Sequence, residues 1–172
     1  MADPSSSTGI GVPCQVVVAD EQTDVDVDTG RWGDLARAVL HSEGRGGELT
    51  LTFVDRDEIA ALNAEHMGEP RPTDVLSFPL DDDPADVQAG PVLLGDVVIC
   101  PAVAADAAPG HAGCLDDELA LLTVHGVLHV LGHDHAHPGE RAEMRARELR
   151  HLVDHHWRAS VPAGFRQDPV DG

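Results

Sequence analysis

The chain has no lysine and no tyrosine, and its 172 residues include only three phenylalanines and two tryptophans. It also lacks the roughly 18 uninterrupted apolar residues of a membrane-spanning helix and the basic start and apolar run of an export signal. We therefore expect a cytoplasmic protein without a membrane partner. The three cysteines are far apart and lack the CxxC spacing of a thiolate zinc or redox site, so we interpret them as free thiols.

Basic residues are few, because eleven arginines stand against 31 acidic residues and the formal net charge is -20. A charge of this size argues against a protein that finds nucleic acid by long-range attraction. The charge is unevenly placed. Residues 121–172 hold six arginines, seven acidic residues and eight of the eleven histidines. This last part of the chain is therefore nearly neutral.

Hydrophobic periodicity predicts one domain in which strands and helices are interspersed. Asp55 and Asp116 each precede a helical pattern and are predicted to cap it. Strands are predicted over 15–19, 48–54, 74–78 and 93–100, and helices over 31–42, 56–65, 119–131 and 139–157, with a short one after Pro101. This order predicts an α+β domain with a mixed sheet of about four strands covered by helices.

The two ends of the chain are rich in small residues, proline, glycine and aspartate and show no periodicity. We predict that residues 1–13 form a disordered N-terminus and residues 159–172 a disordered tail. Residues 14–158 then form the folded domain.

The histidines of the predicted buried helix carry the chemical signal. His125 and His129 are four residues apart, so both imidazoles project from one helix face and can reach one ion at about 2.0–2.1 Å. Gly132 can end the helix in a left-handed turn, and the reversed chain can return His135 as a third ligand. Three protein ligands leave one coordination position for a water, whose pKa zinc lowers to about 7. The pattern predicts one Zn²⁺ per chain and hydrolysis with zinc-bound water as nucleophile, which makes residues 14–158 a metal-dependent hydrolase domain.

The residue after the first histidine narrows the choice of substrate. Zinc peptidases with paired helical histidines place a glutamate there as general base, whereas this chain has Gly126. A glycine inside a helix costs roughly 1 kcal/mol relative to alanine, so we infer that backbone or substrate approaches closely at this position. A phosphodiester suits the site better than a peptide, because a metal can neutralise charge on a phosphoryl oxygen. A zinc peptidase or amidase is the competing enzyme.

The competing non-enzymatic interpretation is a metal-stapled binding module without catalysis. A structural zinc usually has a fourth protein ligand, which His133, Asp134 or His137 could supply. We expect His133 and His137 to be exposed bystanders, and Asp134 to orient a histidine by a hydrogen bond. The ligand count separates the two hypotheses.

The run from His125 to His135 resembles the HGxLHxxGxDH signature of the YbeY family of bacterial endoribonucleases. Residues 72–79 (PTDVLSFP) and 94–100 (LGDVVIC) resemble two further segments of that family, in the same order. The resemblance implies a zinc-dependent endoribonuclease specific for single-stranded RNA, acting in small-subunit rRNA maturation and ribosome quality control. It implies rRNA and the small ribosomal subunit as partners, so the non-enzymatic alternative becomes a ribosome-binding module. The acidity of the chain suits a basic ribosomal protein better than naked RNA.

The chain departs from the family at one position. Many members have a Tyr-Arg pair where this chain has His66-Met67, and Met67 cannot hold a phosphate. Arg71 is the candidate to replace that arginine in catalysis, although it can equally be a solvent-facing loop residue. Further candidates for the cleft, or for hydrogen bonds that stabilise it, are Asp74, Ser77 and Asp96 in the matching segments. Arg141 and Arg145 of the last helix are candidates for contacts to RNA or a partner, unless they belong to a solvated ion-paired face.

Overall fold

The structure is a computed structural model that describes residues 13–80, 92–133 and 137–167. Within these residues four strands form one mixed sheet in the order β1-β2-β4-β3. The strands are β1 (Cys14–Asp20), β2 (Gly47–Phe53), β3 (Val75–Pro79) and β4 (Leu93–Ile99). β1 and β4 run parallel to β2, whereas β3 runs antiparallel to β4. The predicted mixed sheet of about four strands in an α+β domain is confirmed.

Five α-helices cover the sheet in the described part of the chain, and each corresponds to a predicted helix. They are α1 (Thr29–Ser42), α2 (Arg56–Met67), α3 (Pro101–Ala107), α4 (Leu115–Val130) and α5 (Pro138–His151). A π-helical turn, Leu152–Trp157, continues α5 and completes the predicted last helix. None of these helices is long and apolar enough to cross a lipid bilayer.

The main core lies between the sheet and the helices α1 and α4. In β2 the side chains of Leu49, Leu51 and Phe53 are fully buried, and the intervening threonines are half-buried, as the alternation of the sequence predicts. A smaller cluster on the opposite face includes Ile59 of α2 and Val98 of β4. Burial on both faces accounts for the long apolar run of β4.

The two predicted helix caps have different outcomes. The Asp55 carboxylate accepts a hydrogen bond from the Glu58 amide at 2.9 Å, which confirms the cap of α2. The prediction that Asp116 caps α4 is wrong, because the cap position is Cys114 and Asp116 lies inside the first turn. The Asp116 carboxylate instead binds Arg31 of α1 at 2.9 Å. The helix begins at Leu115, four residues before the predicted start at Leu119, so its cap position also lies further upstream.

The segment after the π-helical turn contains no regular structure between residues 159 and 167, yet it makes specific contacts. The Arg166 amide donates to the His111 carbonyl at 3.1 Å, and the Gln167 side chain binds α5. The disordered tail over 159–172 stays a prediction, as does the disordered N-terminus over 1–13; residues 1–12 and 168–172 lie outside the described residues. The three cysteines, all within the described residues, form no disulfide.

Candidate functional site

Helix α4 packs closely on the sheet at Gly126. A Cβ at this position would lie 2.5 Å from Cγ1 of Val97 in β4, well inside van der Waals contact. The close neighbour is therefore a side chain of the sheet, and our inference that backbone or substrate requires the glycine is wrong. The Ser77 hydroxyl of β3 donates to the Gly126 carbonyl at 3.4 Å. Ser77 thus helps to hold the histidine-bearing helix against the edge strand.

His125 and His129 lie on one face of α4, one turn apart. Their ring centroids are 5.5 Å apart and the ring planes meet at 67°. Both residues are only half-buried, so the imidazoles border solvent, whereas the other residues of the helix from Glu118 onward are buried. This separation suits two imidazoles that converge on one ion.

Glu148 of α5 holds the ring of His125. Its Oε2 lies 2.6 Å from Nδ1 of His125, and the Glu148 side chain is 7 % exposed. With Nδ1 bound to a carboxylate, a metal would be bound through Nε2 of His125. Our sequence reasoning missed Glu148, although its spacing gives a signal: it lies four residues from both Met144 and Leu152, which are buried, so it belongs to the apolar stripe of the helix.

The chain turns sharply where α4 ends. Gly132 has a φ of 102°, and the His133 amide donates to the Leu128 carbonyl at 3.0 Å, which confirms the predicted left-handed turn. His133 is not an exposed bystander, because its Nε2 lies 3.3 Å from Glu43 and its side chain is 25 % exposed. The predicted third ligand and its neighbour, His135 and Asp134, lie outside the described residues.

Glu43, at the end of α1, connects this turn to helix α5. Its carboxylate contacts Nε2 of His151 at 2.7 Å and a nitrogen of Arg147 at 3.1 Å, in addition to His133. Burial alone would raise the pKa of Glu43, but these partners hold it below its ordinary value. The turn that leads to the third candidate ligand is thus fixed to two helices. No three His, Cys, Asp or Glu side chains within residues 13–80, 92–133 and 137–167 are grouped to hold a metal.

A second histidine–carboxylate pair lies at the other end of α4. Nδ1 of His111 is 2.7 Å from Oε2 of Glu118, whose side chain is fully buried, and Nε2 faces the Gln167 carbonyl. Since both ring nitrogens face acceptors, the protonated ring is favoured, and the hydrogen bond to Glu118 raises the pKa of His111 to about 8. Burial, and then the charge of Glu118, raise the pKa of Asp74. Asp74 therefore lies close to this pair.

We expect the His111–Glu118 pair to stabilise the metal-free protein in a pH-dependent way. The folded pKa of about 8 exceeds the unfolded value of about 6.5, so the stabilisation is complete below about pH 6.5 and is lost as the pH rises through about 8. Its size is on the order of 1 to 2 kcal/mol. Urea unfolding should show that His111→Gln has a lower free energy of unfolding than the wild type near pH 6. Near pH 9 this difference should disappear. An equal loss of free energy of unfolding at both pH values would contradict this prediction. The control is His41→Gln, which replaces an exposed histidine and should show no such pH-dependent difference.

The remaining candidates from the matching segments lie in two different places. Arg71 is 75 % exposed and pairs with Glu69 at 2.9 Å, and Met67 beside it is exposed. Asp96 lines a groove of about 530 Å³ with His66 and Phe78, on the sheet face that packs against α2. Val97, the next residue, points to the opposite face and contacts α4. Asp96 is thus separated from the histidine pair by the thickness of the sheet.

The arginines of α5 do not all belong to one exposed face. Arg141 is exposed, whereas Arg145 is half-buried and its carbonyl accepts a hydrogen bond from the Gln167 side chain at 3.0 Å. Arg147 faces Glu43, and Glu148 faces α4. Arg141 is the candidate best placed to meet a partner from solvent, and its role stays a prediction.

Comparison with known proteins identifies the family. Two histidines four residues apart on one helix also occur in hydrolytic metalloenzymes such as zinc peptidases. The profile of the family described as "Endoribonuclease YbeY" matches residues 17–155. Proteins of that name from Acidothermus cellulolyticus and Salinispora tropica are 48 % and 44 % identical over 154 and 155 residues, covering 84 % of this chain and 92 % and 97 % of theirs. The chain belongs to the YbeY family.

A solved structure has a similar fold. The solution structure of the protein TM1509 from Thermotoga maritima aligns with a TM-score of 0.60 and 25 % sequence identity. The alignment covers 83 % of this chain and 91 % of the Thermotoga protein. The resemblance drawn from the residues at 72–79, 94–100 and 125–135 is confirmed.

Proposed function

We propose that the chain is a metal-dependent endoribonuclease that cleaves single-stranded RNA. Membership in a family of endoribonucleases supports the reaction class. The observation that supports a bound metal is the contact between His125 and Glu148 at 2.6 Å. A buried carboxylate on one imidazole nitrogen is the usual way in which proteins orient a histidine toward a metal. The predicted hydrolase domain, residues 14–158, encloses the matched region.

One Zn²⁺ bound by His125, His129 and His135 is the proposed cofactor. When bound, such an ion supplies an activated water and neutralises charge on a phosphoryl oxygen. The side chains of the described residues fit this role, since two half-buried imidazoles share one helix face and Glu43 fixes the turn that precedes His135 in the sequence. Asp134 is proposed to orient one of the ligands.

The chain itself favours a phosphodiester over a peptide bond. Gly126 occupies the place of the peptidase glutamate, and the contact with Val97 leaves no room for a larger side chain there. Half-buried histidines at the end of α4 leave one side of the site open to solvent, where a flexible single strand can enter. Arg71, through a phosphate contact, remains the candidate for a role in catalysis.

We propose small-subunit rRNA maturation and ribosome quality control in the cytoplasm as the biological setting. The net charge of -20 repels free RNA over long range, so a basic ribosomal protein of the small subunit is the favoured first contact. Arg141 and Arg145 of α5 are the candidates for contacts to RNA or to this partner.

The test is a comparison of substrates. Zinc-loaded protein is incubated with a labelled single-stranded RNA, the same RNA as a duplex, single-stranded DNA of the same sequence, and casein, beside a chelator-stripped sample. We expect cleavage of the single-stranded RNA alone, and its loss on removal of the metal. Cleavage of casein without RNA would establish a peptidase instead. No RNA cleavage by fully metallated protein, even with small ribosomal subunits present, would favour a binding module.

A further inference from the structure

The Glu148 carboxylate uses both of its oxygens in specific contacts. Oε2 lies 2.6 Å from Nδ1 of His125, and Oε1 accepts a hydrogen bond from the Gln167 side-chain amide at 3.1 Å. The same amide nitrogen donates to the Arg145 carbonyl at 3.0 Å. Glu148 is therefore held from both sides, and its carboxylate plane has one orientation toward His125.

Gln167 is itself fixed by the second histidine pair. Its carbonyl faces Nε2 of His111, whose other nitrogen binds Glu118, and the neighbouring Arg166 amide donates to the His111 carbonyl at 3.1 Å. The segment that carries Gln167 follows the π-helical turn and crosses back to α5. A continuous path of contacts thus runs from Glu118 in the first turn of α4 to His111, then to Gln167 of the C-terminal segment. From there it continues to Glu148 of α5 and ends at His125 of α4.

We propose that Glu148 is a positioning residue for the metal ligand His125, and that Gln167 of the C-terminal segment locks Glu148 in place. This inference rests on the proposed function and deepens it. A carboxylate on Nδ1 selects the tautomer that presents Nε2 to the metal, prevents the ring from rotating and increases its basicity as a ligand. Gln167 prevents the carboxylate from swinging away, so the C-terminal segment contributes to metal affinity without touching the metal.

Metal affinity is the first readout. Zinc competition with a chromogenic chelator should show a loss of about tenfold to a hundredfold for Glu148→Ala, as for other partners that orient a ligand. Gln167→Ala should show a smaller loss of about threefold to tenfold, because Glu148 remains but is held less firmly. Glu143→Ala is the matched control: it lies on the same helix, its side chain is 68 % exposed, and its affinity should be unchanged.

The tautomer of His125 is the second readout and needs no metal. In the metal-free protein at alkaline pH, long-range proton–nitrogen spectra should show the Nδ1–H form of His125. Glu148→Ala should shift this ring toward the Nε2–H form that neutral histidine otherwise favours. A residue with a purely structural role would change stability but not this tautomer.

The outcomes separate this inference from the proposed function. Zinc binding that requires His125 and His129 but is unchanged in folded Glu148→Ala and Gln167→Ala would overturn the inference alone. The Nε2–H tautomer of His125 in the wild type would overturn it as well. If Glu148→Ala fails to fold, Gln167→Ala decides, since it removes only one half-buried amide and leaves the Glu148 carboxylate in place. Failure of the wild type to bind zinc would overturn both proposals.

Discussion

Replacing His129 by alanine should abolish RNA cleavage, with a loss of rate on the order of 10³ or more and the loss of stoichiometric zinc. His125→Ala should do the same, since both imidazoles share one face of α4 with centroids 5.5 Å apart. Single-turnover cleavage of a labelled single-stranded RNA, beside metal analysis of the same samples, measures both effects.

The control for this prediction is His41→Ala, which removes an exposed imidazole from the last turn of α1. It should leave both cleavage and metal content unchanged. Circular dichroism of each variant should show the wild-type helix content, because the two candidate ligands are half-buried and are not core residues. Cleavage at the wild-type rate by folded His129→Ala would contradict the assignment of the site.

Gly126→Val should produce the largest loss of stability of any change beside the site, about 3 kcal/mol or more. Its Cβ alone would lie 2.5 Å from Cγ1 of Val97, and Val97 is fully buried between α4 and the sheet. The clash has to separate the helix from β4, which also displaces the histidines on either side of Gly126. Urea unfolding of the metal-free proteins measures the free energy.

A double-mutant cycle shows whether Val97 is the cause. Gly126→Ala gains about 1 kcal/mol of helix propensity but should still be destabilising, because overpacking costs about 1–3 kcal/mol. In the Val97→Ala background the same change should stabilise, since the new methyl group enters the space that valine leaves. A stabilising Gly126→Ala in the wild-type background would show that the close approach is not limiting.

The sequence predicts the elements well where burial follows a simple period. In β2 the alternation of large apolar residues with threonines matches the observed burial residue by residue, and the glycine after α4 ends the helix as expected. Boundaries are less well predicted. The start of α4 is placed too late, because its first turn is acidic and the apolar pattern begins only at Leu119.

The candidate site is predicted only as far as one helix extends. The spacing of His125 and His129 is local, so it can be recognised in the sequence. Glu148 comes from a helix that packs against α4 23 residues later, and no local spacing relates the two positions. Likewise, the sequence does not reveal the contact of His133, because its partner Glu43 is 90 residues away, and His133 is therefore wrongly predicted to be an exposed bystander. Such contacts depend on how the helices pack.

For Gly126 the sequence correctly predicts a close approach, but we attributed it to the wrong neighbour. A helix-interior glycine indicates close approach, but the sequence does not say what approaches. In the structure it is the side chain of Val97, from a strand that passes beneath α4. The glycine therefore serves packing, and the absence of the peptidase glutamate follows from the distance between helix and sheet.

The proposed function depends most directly on which residues bind the zinc ion. A crystal structure of the zinc-loaded protein, with data collected at the zinc absorption edge, would locate the ion and its neighbours. We predict one ion bound by His125, His129 and His135 at about 2.0–2.1 Å, with a solvent molecule in the fourth position. An ion enclosed by four protein ligands would contradict the enzyme and establish a metal-stapled module, and an ion away from His125 and His129 would contradict the site itself.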